Sequence, residues 1–511
     1  MAPAETMPNM PSQEEIHVEN PPVDELRWDA VGMIGRSREI EQVEQALASV
    51  LETKKASSLL IHGYSGTGKS ALALHVIQRF DVLSVKGKYD QNSGSRPFSA
   101  VIDATTELLD ALEYEKTERI VESLKVEEQQ ILGMLVPAFS ILSGCESSHY
   151  EDSSKGNDIG PDESTLIRFM GIFRRFLIAV CNELPLVLFL DDLQWADEAS
   201  RSLLDSIFRD RRMSNLLLVG AIRDGEPTTF DPPVRSILPV LKLTIGPLTL
   251  ESSNDVCSKA LNMKPEKTEE LSKSVLKATV GNPYFVKQFI TSLHRTKLVQ
   301  FSPEKNEFVW DIEKVQEHAQ QSDNVVELMV KTIKAMSYQS QIILVVAATM
   351  GHTFKASVLS PVLGTFDLLC LLTSHFGHSQ SGGSLSKFKL TFLNEEEVMQ
   401  ALDEACKAGL IEMTKIGVYR FTHDRVQQSA TMLLPEGDVG RQIKAKLGSL
   451  LLKMSSGHKD SWMLFAGTDL LMKNAPPEEA SQVAAVCVKA AKTASKQGAF
   501  KTAARFSDFG Y

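Results

Sequence analysis

The chain has 511 residues, too many for one hydrophobic core, so several domains are expected. Its composition, 43% hydrophobic and 23% charged, excludes a disordered or fibrous protein. The balance of 54 Lys+Arg against 65 Asp+Glu, net −11, disfavours a partnership with nucleic acid or an anionic membrane through bulk charge. The six cysteines, Cys145, Cys181, Cys257, Cys370, Cys406 and Cys487, form no CxxC or Cys/His spacing and read as reduced core thiols. No signal-peptide core opens the chain, and the longest apolar runs, such as "LPLVLFL" at 184–190, are too short to span a membrane. A cytoplasmic location is expected.

Residues 1–30 are rich in Pro and acid and poor in apolar side chains, the composition of a disordered tail. From Val31 to about Ile245, "ASSLLIHG", "DVLSVKGKYD", "LPLVLFLDD", "NLLLVGAIRD" and "VLKLTIGPL" read as strands separated by segments of helical period. That alternation predicts an α/β core: a mainly parallel sheet with flanking helices. The Ser/Gly/Asp-rich stretch at 145–164 reads as a mobile insertion. Residues 246–320 are expected to form a small helical lid that includes "GNPYF" (281–285) and a hairpin near 298–312. Over 323–435, helices followed by two β-like runs flanking Gly417 predict a winged-helix module, interrupted by a second insertion at 374–384. From 440 to 511 the pattern is helical, with small residues and aromatics spaced as in tetratricopeptide-like repeats. Too few repeats fit before Tyr511 to close a solenoid, so the expectation is that the chain either ends unusually or is a piece of something longer.

The chemistry concentrates in "GYSGTGKS", Gly63, Tyr64, Ser65, Gly66, Thr67, Gly68, Lys69 and Ser70, which follows an apolar strand and precedes a helix. That context predicts a P-loop: backbone N–H groups wrap a phosphate, the helix N-terminus faces it, Lys69 reaches the β/γ-phosphates and Ser70 holds Mg²⁺. "PLVLFLDDLQWAD" (185–197) ends a buried strand in two acids, Asp191 aimed at the magnesium and Asp192 at the attacking water. Asp192 stands where a longer Glu serves fast ATPases, which fits slow, gated hydrolysis. Arg223, ending the strand expected beside that of Asp191, is suited to sense a γ-phosphate through paired hydrogen bonds.

Together with "MIGRSREI" (33–40) and "GNPYF", these motifs resemble the origin-recognition-complex-like AAA ATPase domain as used in the STAND class, the signal transduction ATPases with numerous domains. "ALDEACKAGLIEM" (401–413) and "YRFTHDRVQQSA" (419–430) look like the continuation found in sensor kinases, nucleotide cyclases and bacterial transcription activators of that class. The resemblance runs from Val31 to Leu434. It implies that Ile34, Gly35 and Arg36 lie against the adenine, that Pro283 contacts the base or ribose from the lid, and that His423 touches the β-phosphate of bound ADP.

The function expected is an ATP/ADP-binding regulatory switch with weak Mg²⁺-dependent ATP hydrolysis. Its helical C-terminal region would meet a protein partner or effector, and a nucleotide-dependent oligomer is compatible with the class. The alternative is a DNA-associated loader ATPase of the origin-recognition kind, with Arg209, Arg211 and Arg212 acting across subunits. Residues 325–434 contain nine Lys+Arg and nine Asp+Glu, which gives that alternative no net basic surface.

Overall fold

The computed structural model describes residues 24–89, 97–142, 163–224, 238–320, 325–365, 368, 371–372, 395–456, 461–496 and 499–510. Five strands, β1 (Ser57–Gly63), β2 (Leu83–Lys88), β3 (Leu186–Asp191), β4 (Leu216–Arg223) and β5 (Val240–Thr244), form one sheet in the order β2-β3-β4-β1-β5. Every pairing is parallel. The central strands are continuous apolar runs because helices bury both their faces, as parallel sheets require. Val43, Leu72 and Val76 cover one face, while Phe169, Phe176, Leu203 and Phe208 belong to the core on the other.

The register sets the site. Gly63 pairs with Arg223, and Lys88 with Asp191, so the carboxyl ends of four strands lie at one rim of the sheet. In open α/β sheets that rim is where ligands bind.

After β5 the chain enters three helices, Leu250–Ala260, Pro265–Thr279 and Pro283–Arg295, and an antiparallel hairpin of β6 (Val299–Ser302) and β7 (Glu307–Trp310). Helices Val325–Lys334, Tyr338–Met350, Ala356–Leu363, Glu395–Lys407 and Asp424–Thr431 follow. Among them lies a three-stranded antiparallel sheet of β8 (Thr353–Lys355), β9 (Ile411–Lys415) and β10 (Val418–Phe421), ordered β8-β10-β9. The helix Tyr338–Met350 is buried nearly all round and forms the centre of this region. One core runs from Leu248 and Phe289 through Leu344 and Phe421 to Met463, so the lid and the region after it share a single apolar interior. The chain continues as helices Asp438–Ser455, Trp462–Asn474, Ala480–Lys496 and Phe500–Gly510. Gly448 and Gly467 let the first two approach closely, since a Cβ on either would stand under 3.0 Å from the other's carbonyl oxygen.

Two expectations need adjustment, and a third falls outside the described residues. The tail does not extend to residue 30: Leu26 and Trp28 pack on the lid core, and the Arg27 amide donates to Ala260 O at 2.8 Å, so apolar side chains anchor this stretch. β8 adds a third strand that three residues could not announce by periodicity. The insertions at 145–164 and 374–384 lie outside the described residues, apart from Glu163 and Ser164 in the helix Glu163–Glu183. No helix among the described residues is long and apolar enough to cross a membrane.

Candidate functional site

The loop after β1 takes the shape its glycines permit, with φ of +81° at Gly66 and +95° at Gly68, a region that favours glycine. The Thr67 hydroxyl donates to Tyr64 O at 2.8 Å and steadies the turn. The helix Lys69–Ile77 starts at the loop, so its positive end faces the concavity. Lys69 is buried, and its Nζ donates to Gly63 O at 2.8 Å and Tyr64 O at 2.9 Å, folded back on the loop. Burial, then the nearby Arg223, draws its pKa down to about 8. An anion in the concavity would raise it again, because negative charge beside the ammonium favours the protonated form.

At the end of β3 the Ser70 hydroxyl donates to Asp191 Oδ2 at 2.9 Å. These are two hard oxygen donors of the kind that hold a magnesium ion with phosphate and water, so the residues fit that ion. Burial and the adjacent Asp192 raise the pKa of Asp191. Asp192, at φ +58°, turns its carboxylate into a buried network. Arg223 grips it twice, Nε to Oδ1 at 2.8 Å and Nη2 to Oδ2 at 3.0 Å, and Gln194 donates to Oδ1 at 3.1 Å. Burial alone would raise the pKa of Asp192, but Lys88 and Arg223 overcome it and hold the group well below the carboxylate range. The Arg223 guanidinium also lies 4.4 Å from the centre of the Trp195 ring, within cation–π range.

Two other parts of the chain close over the loop. Asn282 caps the helix Pro283–Arg295, its Oδ1 accepting from the Tyr284 amide at 3.1 Å, while its Nδ2 donates to Ser65 O at 2.8 Å. One side chain therefore starts a lid helix and fastens the lid to the phosphate loop. His423 caps the helix Asp424–Thr431: Nδ1 accepts from the Arg425 amide at 3.0 Å, which makes Nε2 the protonated nitrogen. That N–H is buried and faces the phosphate loop, where the Ser65 backbone lies near it without a well-formed hydrogen bond, and a Cβ on Gly66 would stand 3.0 Å from it. The ring stacks on Tyr284, centroids 4.9 Å apart, and Tyr284 Oη lies 3.0 Å from Thr422 Oγ1. Asp424 ion-pairs with Arg223 across the two regions, and its other oxygen lies 3.4 Å from His352 Nδ1. Burial lowers the pKa of His423 to about 3 and that of His352 to about 4, so both rings are neutral at pH 7. Between them lies a cavity of about 360 Å³ lined by Ser65, Lys69, Asp191, Arg223, Pro283 and His423 among others. That lies within the ~300–1,000 Å³ of small-molecule sites.

The family profile of the AAA ATPase domain matches residues 33–219, from the segment before the first helix to β4. Residues 33–219 are an AAA ATPase domain. The hybrid signal transduction histidine kinase G of Dictyostelium discoideum is 25% identical over 527 residues, covering 85% of this chain but 15% of the kinase. The chain thus spans a small part of that relative. A Pyrococcus horikoshii signal transduction ATPase with numerous domains and a tetratricopeptide repeat sensor aligns at TM-score 0.42 and 12% identity, over 93% of this chain and 58% of that one. The Aeropyrum pernix ORC1 protein in complex with DNA aligns at TM-score 0.32 and 13% identity, over 78% and 93%. Both structural likenesses are too weak to carry function.

Around the AAA ATPase domain the expected residues separate into two groups. Ser65, Gly66, Gly68, Lys69, Ser70, Asp191, Asp192, Arg223, Pro283 and His423 line one cavity. Gly63, Tyr64, Thr67, Ile34, Gly35 and Arg36 are not among its lining residues. Arg36 is buried and donates to Gly246 O at 2.6 Å and Thr67 O at 3.3 Å, and a Cβ on Gly35 would stand 2.3 Å from Ser252 Oγ. This segment is a strut between the phosphate loop and the lid. Arg209 and Arg212 pair with Asp205 and Asp210 of their own chain. Lys88, Asn282, Tyr284, His352, Thr422 and Asp424 were not singled out from sequence. Asn282 carried a signal, an Asn-Pro pair opening a helix. The others are joined to the site by long-range contacts.

Proposed function

We propose that this chain is a nucleotide-operated regulatory switch whose AAA ATPase domain binds ADP or ATP with magnesium and hydrolyses ATP slowly. The observation that carries the reading is the position of Arg223, held between Asp192 of its own sheet and Asp424 of the region after the lid. A γ-phosphate is an acceptor that competes with the Asp424 carboxylate for the same guanidinium. A diphosphate lacks it, so the two nucleotides differ in their affinity for the closed arrangement, as a ligand-driven shift requires. The Nε2–H of His423, which has no well-formed hydrogen bond, faces the loop as a donor for a phosphate oxygen and supports a closed state that retains ADP. Magnesium, when bound by Ser70 and Asp191, would neutralise phosphate charge. Asp192 orients a water only after Arg223 has loosened its two-point grip, which makes turnover slow. Pro283, at the first turn of its helix on the cavity wall, is placed for contact with ribose or base. The winged-helix reading of 323–435 rests on the helices and β8–β10. A protein partner would meet the helical region from 440 onward.

Titration of the full chain with a fluorescent ADP analogue tests the reading. Lys69→Ala should weaken binding about a hundredfold, the scale of lost charge-assisted hydrogen bonds. Equal affinity in wild type and variant would remove the nucleotide from the account.

A further inference from the structure

The cavity holds a cation that the preceding reading does not use. β2 is an edge strand, and its last residue, Lys88, lies in register with Asp191. The strand end is fixed from behind: a Cβ on Gly87 would stand 1.9 Å from Ala100 O of the helix Ser99–Ala111, so only glycine allows β2 to sit this deep. From there Lys88 Nζ reaches Asp192 Oδ2 at 3.1 Å and Asp191 Oδ2 at 3.7 Å.

Three cationic side chains line the cavity, Lys69, Lys88 and Arg223, against three carboxylates, Asp191, Asp192 and Asp424. That balance leaves a triphosphate with excess negative charge even when a divalent ion accompanies it. Arg223 is 8% exposed with its guanidinium shared by two carboxylates, whereas the Lys88 side chain is 31% exposed. A lysine ammonium has three donors; the Asp191 oxygen at 3.7 Å lies beyond hydrogen-bond reach and Asp192 at 3.1 Å engages at most one, which leaves donors for a further oxygen. With a divalent ion held by Ser70 and Asp191, the Lys88 ammonium would be displaced from that carboxylate, and its flexible four-carbon stem would let it turn into the cavity while Asp192 remained its anchor.

Resting on the nucleotide-binding reading, we propose that Lys88 is a second phosphate-contacting lysine, which recognises the terminal phosphate of a nucleoside triphosphate and distinguishes it from a diphosphate. Lys69 then serves phosphates common to both nucleotides, and Lys88 the one they do not share. A lysine that only neutralised Asp191 and Asp192 would affect both nucleotides alike.

Calorimetric titration of the full chain with Mg²⁺ and either ADP or a non-hydrolysable ATP analogue decides between these roles. Lys88→Met should lose about tenfold in affinity for the analogue, the scale of one charge-assisted hydrogen bond, and keep its ADP affinity within about twofold. Lys88→Arg should recover most of the loss. Unchanged affinity for the analogue, or an equal loss for both nucleotides, would overturn the assignment. If Lys88→Met does not fold, the same comparison is made between Asp192→Asn and Asp192→Asn/Lys88→Met, where the carboxylate nearest the ammonium is gone. The same ATP-selective loss is expected there, and its absence likewise overturns the assignment. Wild-type protein that binds neither nucleotide would instead refute the underlying reading.

Discussion

His423 uses one ring nitrogen to start a helix and turns the other toward the phosphate loop, so its protonation state controls a contact between two regions. Both His423 and His352 have folded pKa values depressed below the free value of about 6.5. The open or unfolded chain therefore binds more protons than the closed chain as pH falls from about 6.5 to about 4 for His352 and about 3 for His423, and stability is lost over that window. Each imidazole should contribute up to about 1.4 kcal/mol of loss per pH unit. Urea unfolding at pH 7, 6 and 5 should show this slope, and His423→Phe should flatten it by about half; an equal slope in the variant would contradict the burial of a neutral ring. Asp192→Asn should slow ATP turnover about tenfold or more while ADP affinity stays near that of wild type, because orienting water acts on the transition state. Single-turnover kinetics beside ADP titration separates the two effects. Lys69, Ser70, Asp191 and Arg223 were legible because each ends or follows an apolar strand in a short motif. Lys88 and Asp424 were not, since each acquires its partners only when segments more than a hundred residues apart in sequence meet.

At the scale of elements, the joint between the AAA ATPase domain and the lid is built from short-range steric fits. Gly281, at φ +71°, lets the chain turn into the Asn282 cap, and a Cβ there would stand 2.5 Å from Leu248 O. The five strands of the sheet were readable as apolar runs bounded by Gly and Asp. β8 was not, because three residues give no period, and neither was the anchoring of residues 24–30, whose apolar side chains find their core only on the distant lid. The Arg223–Asp424 pair is the charged link across the joint. Asp424→Asn should lower the cost of opening by about 1–2 kcal/mol, less than for a fully buried pair because Asp424 is 31% exposed. Stopped-flow release of fluorescent ADP should then be roughly tenfold faster than in wild type, and an unchanged rate would show that the pair does not hold the joint. Gly66→Ala should also disfavour closure: its Cβ would stand 2.7 Å from Asn282 Oδ1 and 3.0 Å from His423 Nε2, at a φ that already disfavours a side chain.

Across the whole molecule, the core from Leu248 to Met463 is continuous, so in the proposed switch the lid and the region after it would move as one body against the sheet. Packed interiors shift between discrete arrangements rather than bending. Among the described residues, the contacts that opening would break include Asn282 to Ser65, the Tyr284 amide to Gly66 O, His423 beside Gly66, and Asp424 to Arg223. The parallel sheet followed by helices was legible in the sequence, but the shared interior was not, because its apolar residues come from many separate helices. The central claim is that nucleotide identity moves this body, and hydrogen exchange with small-angle scattering on ADP-bound and ATP-analogue-bound protein tests it most directly. The account predicts faster exchange at 282–285 and 421–426, unchanged exchange in β1, β3 and β4, and a larger radius of gyration with the analogue. Identical exchange and identical scattering in the two states would contradict it and leave a nucleotide-binding scaffold without a switch.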